Sequence, residues 1–101
     1  MRKIEQSLIK AINTGAPFNA GNTSVEYAGD ILRVRLHGNL IACRENGLWT
    51  FCLAGWNTST TRSRINALAR EYGAHCVWTK QGQAYTGPLY APRAISDNEW
   101  F

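Results

Sequence analysis

Ile31-Leu32-Arg33-Val34-Arg35-Leu36-His37 alternates apolar and polar residues from Leu32 onward. Period two is the pattern of a strand with one buried face. Leu32, Val34 and Leu36 point one way, and Arg33, Arg35 and His37 the other. His37-Gly38-Asn39 turns the chain into a second strand, Leu40 to Arg44. Glu45-Asn46-Gly47 contains Asn-Gly, the strongest short hairpin signal. Leu48 to Leu53 follows, with Trp49, Phe51 and Leu53 on one face. Upstream, Thr23 to Tyr27 is a strand that turns through Ala28-Gly29-Asp30. Turns this short join antiparallel neighbours, so the centre of the chain is a meander of about four strands.

On both sides of the meander the period changes to that of a helix. Ile4, Leu8, Ala11 and Ile12 form one apolar stripe over residues 3–13, and Gly15 and Pro17 stop it. After Gly55, the hydroxyls of Thr58-Ser59-Thr60-Thr61 suit a helix start. Thr61, Ile65, Leu68, Ala69 and Tyr72 make that helix's apolar face, and Gly73 caps its end. Cys76 to Thr79 and Gln83 to Thr86 form a second hairpin around Gln81-Gly82. The predicted fold is α+β: an antiparallel sheet of about four strands with two helices on one face, plus a small C-terminal hairpin. One domain covers residues 1–87. Residues 88–101, with Pro88 and Pro92, read as an irregular arm. Leu32, Val34, Trp49, Phe51, Ile65 and Leu68 are the expected core, and Arg33 and Arg35 lie on the open sheet face.

Composition agrees with one modest core. The chain has 101 residues, 45% apolar and 18% charged, with four Trp, which excludes general disorder. The net charge is +4. Between Ile31 and Lys80 seven cations face only Glu45 and Glu71, a local net of +5. A basic centre suits a polyanion by counterion release; the plainer reading is that +4 keeps a small domain soluble. Three cysteines, Cys43, Cys52 and Cys76, form no CxxC pair. They are expected to be reduced and free of metal, in a cytoplasmic protein. No apolar run approaches the roughly 20 residues that span a bilayer. His37 and His75 have no metal-site spacing with the cysteines, and no acid–base pair or phosphate loop stands out. The sequence predicts neither a cofactor nor an enzyme.

The most unusual segment is Gly55-Trp56-Asn57-Thr58-Ser59-Thr60-Thr61-Arg62-Ser63-Arg64. Amides at a helix start attract phosphate. Arg62 and Arg64 would add charge-assisted contacts, Trp56 would stack on a base, and Thr60 and Thr61 supply hydroxyls. Both arginines are expected off the apolar stripe, with no carboxylate nearby in sequence, so their removal is expected to leave stability unchanged. Arg62, Asn66 and Arg70 recur as a polar stripe, and Arg33 and Arg35 would support from the sheet. The plain alternative is a well-capped helix with Trp56 as a core plug.

Two stretches together resemble a family of small tailed-bacteriophage proteins: Leu36-His37-Gly38-Asn39-Leu40-Ile41-Ala42, and Gly55-Trp56-Asn57-Thr58 running on through Thr61-Arg62-Ser63-Arg64-Ile65-Asn66-Ala67-Leu68. The resemblance covers roughly residues 4–70. It implies expression in a host bacterial cytoplasm and gives no mechanism. The helix–sheet–helix order is also similar to double-stranded RNA-binding domains, although Thr61-Arg62-Ser63-Arg64 stands where those begin their second helix with lysines. Two functions follow. The first is a module that binds DNA or RNA through Arg62, Arg64, Trp56, Thr60, Thr61, Arg33, Arg35 and Arg70. The alternative is a phage protein that binds and inhibits a host protein through Tyr90, Trp100 and Phe101, since exposed aromatics make interface hot spots. Homodimerisation is left open.

Overall fold

The computed structural model describes residues 1–101. In chain order it contains α1 (Lys3–Thr14), β1 (Phe18–Ala20), β2 (Thr23–Ala28), β3 (Ile31–Leu36), β4 (Asn39–Glu45), β5 (Leu48–Phe51), α2 (Ser59–Tyr72), β6 (Val77–Lys80), β7 (Gln83–Thr86) and β8 (Arg93–Ile95). β1 to β5 form one antiparallel sheet in sequential order, and β6 to β8 form a second. The fold is α+β, as the periodicities predict. The meander has a fifth strand, β1, and the C-terminal hairpin has a third, β8.

The period-two reading of β3 holds residue by residue: Leu32, Val34 and Leu36 are buried, while Arg33 and Arg35 are partly exposed. His37 and Gly38 both take positive φ between the paired Leu36 and Asn39, and Asn46 and Gly47 do the same between Glu45 and Leu48. Two such residues make a turn whose twist matches the strands it joins. A bulge interrupts the β3–β4 register, which passes from Arg35↔Leu40 to Val34↔Ala42. The extra residue lets both Ile41 and Ala42 reach the core.

One cluster of buried side chains runs through all the elements except β1. Leu8, Ile9 and Ile12 come from α1; Val25, Leu32, Val34 and Phe51 from the first sheet; Ile65 and Leu68 from α2. Val77, Ala84 and Ile95 join it from the second sheet. Both helices therefore cover the same face of the first sheet. Trp49 is only half-buried. It stacks on Tyr72 of α2 at 4.8 Å between ring centroids, and Arg44 lies over its ring.

The expectation of an irregular arm over 88–101 is corrected. β8 pairs with β7, and Ile95 is buried in the core. Phe101 exchanges two backbone hydrogen bonds with Phe51, at 2.7 and 2.8 Å, and its ring packs against that of Phe51. The last residues thus complete the free edge of β5.

α1 and α2 are also joined by a buried polar cluster. Arg64 is 3% exposed and Glu5 2%. Arg64 donates from Nη1 to Glu5 Oε2 at 2.8 Å and from Nε to Thr23 Oγ1 at 3.0 Å. Ser63 Oγ donates to Glu5 Oε2 at 2.6 Å, and the Arg2 amide to Glu5 Oε1 at 3.1 Å. Burial works to raise the Glu5 pKa, but the hydrogen bonds from Ser63, Arg2 and Arg64, with the charge of Arg64, hold it below the ordinary carboxylate value.

A Trp56 pocket at the start of α2

Beyond β5, which ends at Phe51, Ala54 and Gly55 take positive φ and the chain turns towards α2. Thr58 caps the helix: its hydroxyl accepts from the Thr61 amide at 3.2 Å and is paired with the Thr61 hydroxyl at 3.0 Å. The bend brings Trp56 beside the β3–β4 turn, where they line a half-open cavity of about 540 Å³. Leu36, Ile41 and Leu53 form its apolar floor. Trp56, 60% exposed, walls it. His37, Asn39, Thr58, Thr60 and Thr61 supply hydrogen-bonding groups around it. No carboxylate or guanidinium lines it. Such a cavity takes an apolar group and fixes its orientation through a few polar contacts.

The arginines expected to serve this site are disposed differently. Arg64 is not on the surface. It points from α2 towards α1 and is held by Glu5, so the expected phosphate contact at this residue is corrected. The carboxylate that holds it lies 59 positions away in sequence. Arg62 is turned back onto its own helix start, where Nη1 donates to the carbonyl and side-chain oxygens of Asn57. Arg33 and Arg35 lie on the open sheet face, away from the helices. Arg35 is engaged with Glu26 at 2.7 Å and with the Gly38 carbonyl. Arg70 is exposed near the other end of α2. The polar stripe is also broken, because Asn66 exchanges two hydrogen bonds with the backbone of Val77 and ties β6 to α2. The structure thus keeps Trp56, Thr60 and Thr61 together at the pocket and separates them from the five arginines, of which only Arg62 lies at the α2 start.

Among the residues named for protein contact, Tyr90 is 91% exposed and Trp100 is also exposed. Phe101 is half-buried and docked on Phe51, which answers the open question of whether the end of the chain docks or is free. His37, Asn39 and the apolar floor were missed as site residues. They come from the end of β3, the β3–β4 turn, β4 and the chain after β5; the first quoted motif contains Leu36, His37, Asn39 and Ile41, and Leu53 lies outside both motifs. No group of three or more His, Cys, Asp or Glu side chains is placed to hold a metal ion.

Two helices over an antiparallel meander, with a second small sheet closing the core, place the chain among small α+β proteins. The family model described as Kyanoviridae Gp96 protein matches residues 1–101, and the chain belongs to that phage protein family. The match includes the second sheet and the C-terminal residues, beyond the 4–70 span of the resembling motifs. No curated protein and no solved structure matches the chain. No helix is long and apolar enough to cross a membrane.

Proposed function

We propose that the protein acts without catalysis, by binding a protein of the host bacterium, and that the Trp56 pocket receives an apolar side chain of that partner. The observation that carries this reading is the pairing of an apolar floor with an exposed indole, at a helix start where Arg62 is folded back onto Asn57 and Arg64 is buried against Glu5. A phosphate at this site would meet no free guanidinium from Arg64. A partner's aliphatic or aromatic side chain would meet Leu36, Ile41, Leu53 and Trp56, which is the composition of an interface anchor site. The basic middle segment assists encounter with an acidic surface rather than forming one cationic face.

The test is capture from host-bacterium lysate on immobilised protein, with and without nuclease, comparing wild type with Trp56→Asp. A host protein retained after nuclease and lost with Trp56→Asp is the expected result. Retention that disappears with nuclease restores the nucleic-acid reading.

A further inference from the structure

The Trp56 pocket has walls that are already in place. The indole stands on a backbone tied at both ends: the Trp56 amide donates to the Leu53 carbonyl and the Thr58 amide to the Trp56 carbonyl, each at 2.9 Å. The floor of Leu36, Ile41 and Leu53 is buried and belongs to the common core. Asn39 pairs with Leu36 in the β3–β4 ladder, and Thr60 and Thr61 sit in the first turn of α2. A group entering the half-open cavity therefore orders little of the protein, and most of what its contacts gain is available as affinity.

Hydrogen-bonding capacity is left over around that apolar floor. The half-buried side chains of Asn39 and Thr60 line the cavity, and no hydrogen bond within the chain engages them. Thr58 and Thr61 share one hydrogen in the 3.0 Å contact between their hydroxyls, and the Thr58 oxygen also accepts from the Thr61 amide. Whichever hydroxyl donates, the hydrogen of the other is not used there. These spare groups both give and accept, since an amide and a hydroxyl each carry both functions. An ammonium entering the pocket would find no carboxylate, and a carboxylate no guanidinium or lysine. An aliphatic or unsubstituted phenyl group would strip water from the spare groups and return no hydrogen bond. An indole N–H only donates. A phenol lays an apolar ring against the floor and the Trp56 face, and brings a hydroxyl that gives and accepts at the rim.

We infer that the Trp56 pocket selects a phenol ring, so that the side chain it receives is a tyrosine of the host partner; this rests on the protein-binding reading above and narrows it. The full chain, isotopically labelled, is titrated with p-cresol, toluene and indole, and the Trp56 indole N–H and the Asn39 and Thr61 amides are followed by NMR. p-Cresol is expected to shift those signals and to bind about tenfold more tightly than toluene or indole, the worth of one net hydrogen bond. In the double variant Asn39→Leu, Thr60→Val, which loses no hydrogen bond of the fold and should melt as wild type does, the preference should fall to about twofold or less. Trp56→Ala should lose all three ligands. In parallel, each surface tyrosine of the retained host protein is changed to Phe. One such change is expected to weaken its binding about tenfold, and p-cresol is expected to displace the host protein from wild type. No shift with p-cresol, equal or tighter binding of toluene, or shifts confined to Trp49, Trp78 or Trp100 overturns the tyrosine and leaves an apolar anchor at Trp56 standing. A host protein whose binding survives every Tyr→Phe change overturns it too. Concentration-dependent shifts of the same signals in the chain alone put a second copy in the pocket and also overturn it. If wild type retains no protein at all, the tyrosine and the host-protein reading fall together.

Discussion

Replacing Arg64 with Met removes a guanidinium buried between two helices while keeping most of the aliphatic stem. The sequence pattern alone predicts no effect, since Arg64 reads as a surface residue. The structure predicts a large one. Glu5 would keep its bonds from Ser63 and the Arg2 amide but would lose its one cation, in a site where the carboxylate is 2% exposed. Removing one partner of a buried ion pair costs about 3–5 kcal/mol, because the remaining charge is left uncompensated. A domain of this size is stable by about 5–15 kcal/mol in total, and each 1 kcal/mol moves its melting temperature by about 4–8 °C. Arg64→Met is therefore expected to melt at least about 12 °C below wild type by circular dichroism or calorimetry. Adding Glu5→Gln should recover part of the loss, since it removes the stranded charge, so the double variant is more stable than additivity requires. Arg62→Ala, which breaks only contacts to Asn57, should cost about 1 kcal/mol or less. A drop below about 4 °C for Arg64→Met, or strict additivity with Glu5→Gln, would refute the account of this cluster.

Phe51 is 2% exposed and lies between β4, Trp49 and Phe101, so Phe51→Ala should cost about 3–5 kcal/mol by urea unfolding. Ile95→Ala should cost about 2–5 kcal/mol, and deletion of residues 93–101 should abolish the cooperative melt, since both remove core from a strand of the second sheet. Melting at neutral pH unchanged by either would mean that β8 is not part of the core. Acidification tests the Glu5 site again. Its pKa is depressed in the folded protein, so the unfolded chain binds the proton first; the stabilisation is present above the ordinary value of about 4.5 and is lost as pH falls through the folded value. The melting temperature of Glu5→Gln should depend less steeply on pH in that range than that of wild type.

Much of this fold was legible because its signals are local. Leu32, Val34 and Leu36 gave β3 its inner face, Asn46-Gly47 gave the β4–β5 turn, and Thr58 and Gly73 marked the ends of α2. β1 and β8 have three residues each, too few for a period to show. Their pairing is decided by distant partners, as is the bridge between Phe101 and Phe51. The Arg64 error had a readable correction. Arg64 lies three residues after Thr61 and four before Leu68, on the buried stripe, and Glu5 lies three before Leu8 and four before Ile9 on the stripe of α1. Opposite charges at core-facing positions of two helices indicate an ion pair between them. The pocket was less accessible, because its floor and wall come from β3, β4 and the chain after β5, and no spacing within one segment encodes their meeting.

The central claim, that this domain addresses a protein and not a nucleic acid, is tested most directly by titrating the purified chain with labelled short duplex and single-stranded DNA and RNA at two salt concentrations. The account predicts no saturable binding at physiological salt, because Arg64 is sequestered, Arg62 is engaged with Asn57, and Arg33 and Arg35 lie away from the Trp56 pocket. Tight binding that weakens steeply with salt, and that falls with Arg33→Ala and Arg62→Ala while the fold is kept, would contradict it.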